Sequence, residues 1–333
     1  MIVPLIRSAA LAPVVRWMRE NGQNPHQELR KVDLGWYSEL HPLEFIPLRP
    51  AAQFLRDLAR QHTPNLPWRI VQDRGFFELG LICSVGMKAD TLRGVMSLIE
   101  AAMSNHCTHE MFRAYSTEEG DLVIEEGWAL SFDDETLHII QQYFTAMVSM
   151  ICGLTSAPGP YLRDVQMIPH PVYGFDHLGR WLGERVSYQR AKNLRLEIRS
   201  EVADAPIQIQ RNKNDLIDPG MDWVPVRSGA STSYFVSLLL IGFLREGRPS
   251  IDRIAAAIGT SRRSLQRRLA EEGNSFSQIL DDVRRQLANE HLNTKGQAIG
   301  TLASSLGYAN QSAFTRAYRR WQGRPPTEKL KKQ

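Results

Sequence analysis

Two stretches near the C-terminus carry side chains suited to reading a polyanion. In SRRSLQRRLAEE, Ser261 to Glu272, the spacing of Leu265 and Leu269 puts both on one helical face, and Arg262, Arg263, Gln266 and Arg267 point the other way. In ANQSAFTRAYRRWQG, Ala309 to Gly323, an apolar stripe of Phe314, Ala317, Tyr318 and Trp321 backs a face of Gln311, Ser312, Thr315, Arg316 and Arg319, with no acidic residue among them. The chemistry open to such faces is hydrogen bonding to base edges. In the major groove a guanidinium bonds guanine through two N–H groups, and a carboxamide bonds adenine through its donor and acceptor together. Arg319, Arg320 and Arg324 lie further along, where phosphate contacts set register without carrying sequence.

The elements that must hold these helices repeat. IAAAIG, Ile254 to Gly259, returns as LASSLG, Leu302 to Gly307, 48 residues later, and LQRRL returns as FTRAY after 49. Each copy reads as helix, glycine turn, helix, over 251–272 and 299–322. A small residue, Ala255 or Ala303, stands four before the turn glycine, where close crossing of the two helices excludes a bulky side chain. Two copies separated by a long helix argue against a solenoid. That helix, Phe276 to Leu292, shows an apolar stripe of Phe276, Ile279, Leu280, Val283, Leu287 and Leu292. It would be a strut of roughly 25 Å at 1.5 Å per residue. With the turns at its ends, it could set two helices into successive major grooves, which lie roughly 34 Å apart.

Charge agrees with this placement. Residues 1–249 hold 25 Lys/Arg and 29 Asp/Glu, net −4, whereas residues 250–333 hold 15 and 7, net +8. The mild overall charge of +4 hides a basic C-terminal segment, the electrostatic footprint of a nucleic-acid partner. Between the halves, RNKNDLIDPGMDWVPVRSGAS, Arg211 to Ser231, has turn formers and no sustained period, so it reads as a linker. The division expected is 1–210, a linker over 211–230, and 231–333.

From about Ser231 to Lys332 the sequence resembles the DNA-binding domain of the AraC/XylS family of bacterial transcription regulators. The matching stretches are IDRIAAAIGTSRRSLQRRLAEEGNSF and IGTLASSLGYANQSAFTRAYRRWQGRPP. The resemblance implies an all-α domain of seven helices with two helix-turn-helix motifs joined by a linker helix, acting at promoters and usually touching RNA polymerase. It carries the family's base-contacting positions onto Arg263, Gln266 and Arg267 in the first unit and Gln311, Ser312 and Arg316 in the second. Arg262, Thr315, Arg319, Arg320 and Arg324 are left for the DNA backbone. The family commonly closes with Gly-x-Ser-Pro-x-x-Tyr-Arg. Here Gly323 is followed by RPPTEKL, so Pro326 is kept while Pro325, Lys329 and Leu330 depart, leaving the packing of the last helix open.

The first 210 residues read as α+β. Helices are expected over Val3–Glu20, Ala51–Gln61, Ala89–Ser104 and Asp134–Ile151, and strands over Arg113–Tyr115, Leu122–Leu130, Tyr161–Ile168 and Leu194–Ser200, with a hairpin at Gly120. FFELGLICSVGMKADTLRGVMSLIEAAMS and LGERVSYQRAKNLRLEI resemble the arabinose-binding-type N-terminal domain of one branch of the same family. That likeness implies a sensory domain for a small effector, which need not be arabinose, and a dimer contact. Spacing alone picks out no effector-binding residue.

Other chemistry finds little support. NHCTHE gathers His106, Cys107, His109 and Glu110, but Arg113 stands where a zinc-protease helix needs histidine, so a polar helix end is expected and no metal or other cofactor. Asp133, Asp134 and Glu135 read as a helix start. No phosphate loop or nucleophile elbow occurs, and none of Cys83, Cys107 and Cys152 sits in an activating motif, so no enzyme is expected. No apolar run approaches the ~20 residues of a membrane span, and Arg7, Arg16, Pro4 and Pro13 interrupt the N-terminus as a secretion signal, so a cytoplasmic protein without a membrane partner is expected. Two functions stay open: a sequence-specific, effector-responsive regulator at promoter DNA, or a less specific DNA-binding protein whose N-terminal half only mediates oligomerisation.

Overall fold

The computed structural model describes residues 3–72, 75–208, 230–247, 249–293 and 298–330. The chain opens on a short strand, β1 (Leu5–Arg7), paired antiparallel with β2 (Phe45–Pro47). The helix expected over Val3–Glu20 therefore starts late, as α1 (Ala12–Glu20) after a 3-10 turn at Ser8–Leu11. The cause is tertiary. The Leu5 amide donates to Thr108 Oγ1 and the Pro4 carbonyl accepts from Leu48, so this segment finds its backbone partners across space. Proline in the first turn then marks the true helix start.

α2 (Pro25–Lys31), α3 (Leu48–Gln61), α4 (Leu66–Val71), α5 (Leu81–Gly86) and α6 (Leu92–His106) follow. A five-stranded sheet comes next, ordered β3 (Glu110–Ser116), β4 (Leu122–Trp128), β7 (Leu194–Ile198), β5 (Leu162–Met167), β6 (Val186–Tyr188). The expected hairpin is β3–β4, turning at Gly120 with φ of +90°. β6 pairs with β5 in parallel and was not legible from sequence: three residues are too few to show a period. α7 (Asp134–Cys152) crosses behind the sheet, and Asp133 caps it by accepting from the Thr136 amide at 2.9 Å. α8 (Gly179–Leu182) and α9 (Ser200–Ala203) are single turns beside the sheet. With its strands and helices, this region is α+β, whereas the described chain beyond residue 230 is helical.

After the expected linker, which apart from residue 230 lies outside the described residues, come α10 (Thr232–Arg245), α11 (Ile251–Ala257), α12 (Arg262–Glu271) and α13 (Phe276–Asn293). The chain ends in α14 (Ile299–Ser305), α15 (Gln311–Gln322) and α16 (Pro326–Leu330). Despite its altered closing motif, the last helix packs against α13 and α15.

The cores do not follow the expected boundary. One cluster, including Leu92, Val95, Ile124, Val148 and Leu196, lies between the sheet, α6 and α7. A second joins α1 and α3 to α10, α11, α12 and the first half of α13. Trp36 packs at 5.2 Å on Phe243 of α10, and Gly242 faces the same indole so closely that a Cβ there would lie 2.2 Å from a ring carbon. Arg245 pairs with Glu44 at 3.0 Å, and Arg253 with Asp33 and Glu246. A third, small cluster holds α14, α15 and the end of α13.

Candidate nucleic-acid interface

The two helix pairs are closed by the same backbone device. After α11 the Gly259 amide donates to the Ala256 carbonyl at 3.0 Å and the Thr260 amide to the Ala255 carbonyl at 2.9 Å. After α14 Gly307 donates to Ser304 at 2.9 Å and Tyr308 to Ala303 at 3.0 Å. The glycines have φ of +72° and +69°, the left-handed conformation that ends a helix in a Schellman turn. Ala255 and Ala303 are both buried, as close helix crossing requires.

Each following helix then starts on a side-chain cap. Ser261 accepts from the Ser264 amide at 3.1 Å, and Asn310 from the Ala313 amide at 2.9 Å. The caps set the rotation of α12 and α15, so Leu265 and Leu269, or Phe314, Ala317 and Tyr318, enter a core. Arg262, Arg263, Gln266 and Arg267 stand exposed on the first helix, and Gln311, Ser312, Arg316 and Arg319 on the second. Thr315 is half-buried. Some of these cations already have partners: Arg262 meets Asp252 at 3.3 Å, Arg267 meets Glu271 at 3.6 Å, and Arg320 meets Asp281 of α13 at 2.5 Å. All three pairs are exposed, so they are weak and exchange readily for another anion. Arg324 is exposed just past the Gly323 cap of α15.

Several positioning residues escaped the sequence reading. Arg284, buried on α13, donates to the Leu306 and Gly307 carbonyls at 2.8 and 3.1 Å and lies 4.4 Å from the centre of the Tyr308 ring. It locks the second turn onto the strut; its only sequence signal was an arginine flanking the apolar stripe. Arg49 of α3 lies against Gly259, where its Nε would be 2.6 Å from a Cβ. Nothing local could have shown this, since the two residues are far apart in sequence. Glu272, the residue just past α12, accepts from the Thr232 and Ser233 amides at 2.6 and 2.8 Å and so also caps α10.

The NHCTHE stretch does close a helix, α6, which ends at His106, but that end is buried rather than exposed to solvent. His106 and Cys107 are buried, Cys107 because the chain there bridges to Ile6 of β1, and Glu110 opens β3. Burial pushes the Cys83 thiol up to about 12 and raises the Cys107 and Cys152 thiols well above their ordinary value, so all three are unreactive. Among the described residues no helix is long and apolar enough to cross a membrane.

A basic, exposed helix set on a Schellman turn above a buried alanine defines a DNA-binding protein of the helix-turn-helix class. Comparison with known proteins agrees: residues 254–332 match the family described as a helix-turn-helix domain. Over 80 residues the chain is 39% identical to the ornithine utilization regulator of Pseudomonas aeruginosa, a match that spans only 24% of either protein. It is 26% identical to the HTH-type transcriptional regulator VirS of Mycobacterium tuberculosis over 97% of this chain and 96% of that one. A crystal structure of the transcriptional regulator CdpR from Pseudomonas aeruginosa aligns over 96% of each chain, with 15% identity and a TM-score of 0.42. Residues 254–332 thus carry a DNA-binding helix-turn-helix domain, and the chain is similar to transcription regulators that share it. Its relatives are named as regulators, not enzymes.

Proposed function

We propose that the chain is a cytoplasmic, sequence-specific, effector-responsive regulator that sets α12 and α15 into successive major grooves of promoter DNA. Two helix-turn-helix units, joined by α13 as a linker helix, act as paired grips within residues 231–333, and residues 1–210 form the sensing and dimerising part. The observation that carries this reading is the duplication: two turns with matching hydrogen bonds, each presenting an exposed face of guanidinium and amide groups. As a helix of 18 residues, α13 gives the strut a length of roughly 27 Å. In this reading Arg263, Gln266, Arg267, Gln311, Ser312 and Arg316 touch bases. Arg262, Thr315, Arg319, Arg320 and Arg324 hold the backbone. RNA polymerase is a partner at the promoter.

Footprinting tests the proposal. Two protected segments about 10 bp apart on one face of the duplex are expected. Uniform protection that disappears in moderate salt would instead mark a low-specificity binder whose front half serves only to oligomerise. Within the site, Arg316→Ala is expected to cost ~1–3 kcal/mol at one base position and to relax specificity there. Affinities for operators varied one base at a time check this, and an equal loss on every sequence would move Arg316 to the backbone contacts.

A further inference from the structure

The N-terminal region holds a partly open apolar cavity of about 140 Å³ between α3, α6, α7 and the β3–β4 hairpin. That is close to the size of an engineered cavity of ~150 Å³ that stays dry and takes benzene. One wall differs from the rest. In the hairpin Glu110 pairs with Trp128 and Phe112 with Glu126, so two carboxyls and two aromatic rings alternate across a single face that lines the cavity. Glu126 is wholly buried, and neither of its oxygens has a hydrogen-bond partner. Trp128 Nε1 is also unpartnered and stands beside Glu126, ready to donate to the ionised carboxylate.

An unpartnered buried carboxyl costs free energy that something must offset. No Lys or Arg among the described residues lines the cavity. His106 does line it, but burial lowers it to about 4, so it is neutral near pH 7. Burial, and for Glu126 the nearby Glu110 carboxyl, raises both acids, and they favour the protonated form when no counter-charge is beside them. The charge missing from this wall is positive. An ammonium group between two carboxyls and two ring faces would meet both its ion-pair and its cation–π requirements.

We propose that the cavity binds a small lipophilic amine, about one aromatic ring or a short alkyl chain in size, with its ammonium group held by Glu126 and Glu110. This rests on the effector-responsive reading and names the chemical class of the effector. A single helix links the cavity to the DNA-binding part: Leu48, Ala51, Ala52 and Leu55 of α3 line the cavity, while Arg49 on the same helix lies against the Gly259 turn. An amine that shifts α3 therefore shifts a contact of the first helix pair.

The test uses the full chain and three probes that share a phenyl body and differ in charge: 2-phenylethylamine, 2-phenylethanol and 3-phenylpropanoate. Calorimetry is expected to show the amine binding at least tenfold more tightly than the alcohol, and the propanoate not at all. Glu126→Gln is expected to bring the amine down to the alcohol's affinity, and Glu110→Gln to weaken it in the same direction, with near-UV circular dichroism reporting that each variant is folded. Equal affinity for amine and alcohol, tighter binding of the propanoate, no binding of any probe, or a folded Glu126→Gln chain with unchanged amine affinity would each overturn the proposal. Footprinting of the ligand-free wild-type chain separates this failure from the other. A discrete two-segment footprint keeps the regulator reading even if no amine binds, and its loss strikes that reading instead.

Discussion

Phe314→Ala is expected to unfold the second helix pair while the rest of the chain stays folded. Phe314 is fully buried in a cluster of only seven buried side chains among the described residues, with Tyr308, Trp321 and two aliphatic residues packed around it. Truncating a buried phenylalanine costs roughly 3–5 kcal/mol, more than so small a unit can lose. The first pair has no such weakness, because its core runs on into α1, α3 and α10. Leu287 of α13 packs against both clusters, so the damage is expected to stop near the middle of the strut. Amide exchange should show α14 and α15 opening while α10 to α12 remain protected. The footprint should shrink to one segment. Phe314→Leu, which keeps most of the volume, should retain both. A single cooperative loss of the whole chain, or a full footprint in the alanine variant, would mean that the second pair is not a separate unit.

Acid is expected to draw stability from the chain through its buried histidines as pH falls below 6.5. His138, on α7, is fully buried: its Nδ1 donates to the Ile168 carbonyl at 2.8 Å, and its Nε2 lies 3.0 Å from Nε2 of His177. Burial first, opposed by the Ile168 bond and then aided by the neighbouring histidines, lowers His138 to about 3. Burial and the nearby Arg7 lower His106 to about 4, and burial with His170 lowers His177 to about 4. Each folded value lies below the unfolded value near 6.5, so the unfolded chain binds more protons between them. Stability present above pH 6.5 is lost as pH falls toward 4, on the order of 3 kcal/mol each for His138 and His106.

The raised acids work the other way. Glu126 contributes stability below about pH 4.5 that is lost as pH rises through its folded value. A variant isolates one group from this sum. Urea unfolding of His138→Gln between pH 7 and 4.5 is expected to show a shallower pH slope than wild type, by close to one proton. An unchanged slope would mean that His138 titrates normally.

Much of the DNA-binding region was legible without the structure. Helix periodicity, the glycine turns, the paired alanines and the caps are local, and each is decided by residues within one or two turns. That is why α12, α13 and α15 begin within two residues of where the spacing put them. The turn of the β3–β4 hairpin and the start of α7 are written locally as well, in Gly120 and Asp133, although β3 runs from Glu110, longer than the expected Arg113–Tyr115. The first seventeen residues after Val3 failed as one helix because their pattern fits a helix locally, while their backbone partners lie some 40 and 100 residues away.

Sequence by itself thus determined the class of the protein: a basic, duplicated set of amphipathic helices whose polar faces suit base edges. Tertiary structure alone decided that the first pair shares a core with the front half and the second does not. It also decided that Arg49 and Arg284 each guard a turn, and that Glu110 and Glu126 face one cavity. The reason is physical. A helix face follows from neighbours three and four residues apart, whereas a cavity wall or a shared core is made by residues that only the folded chain brings together.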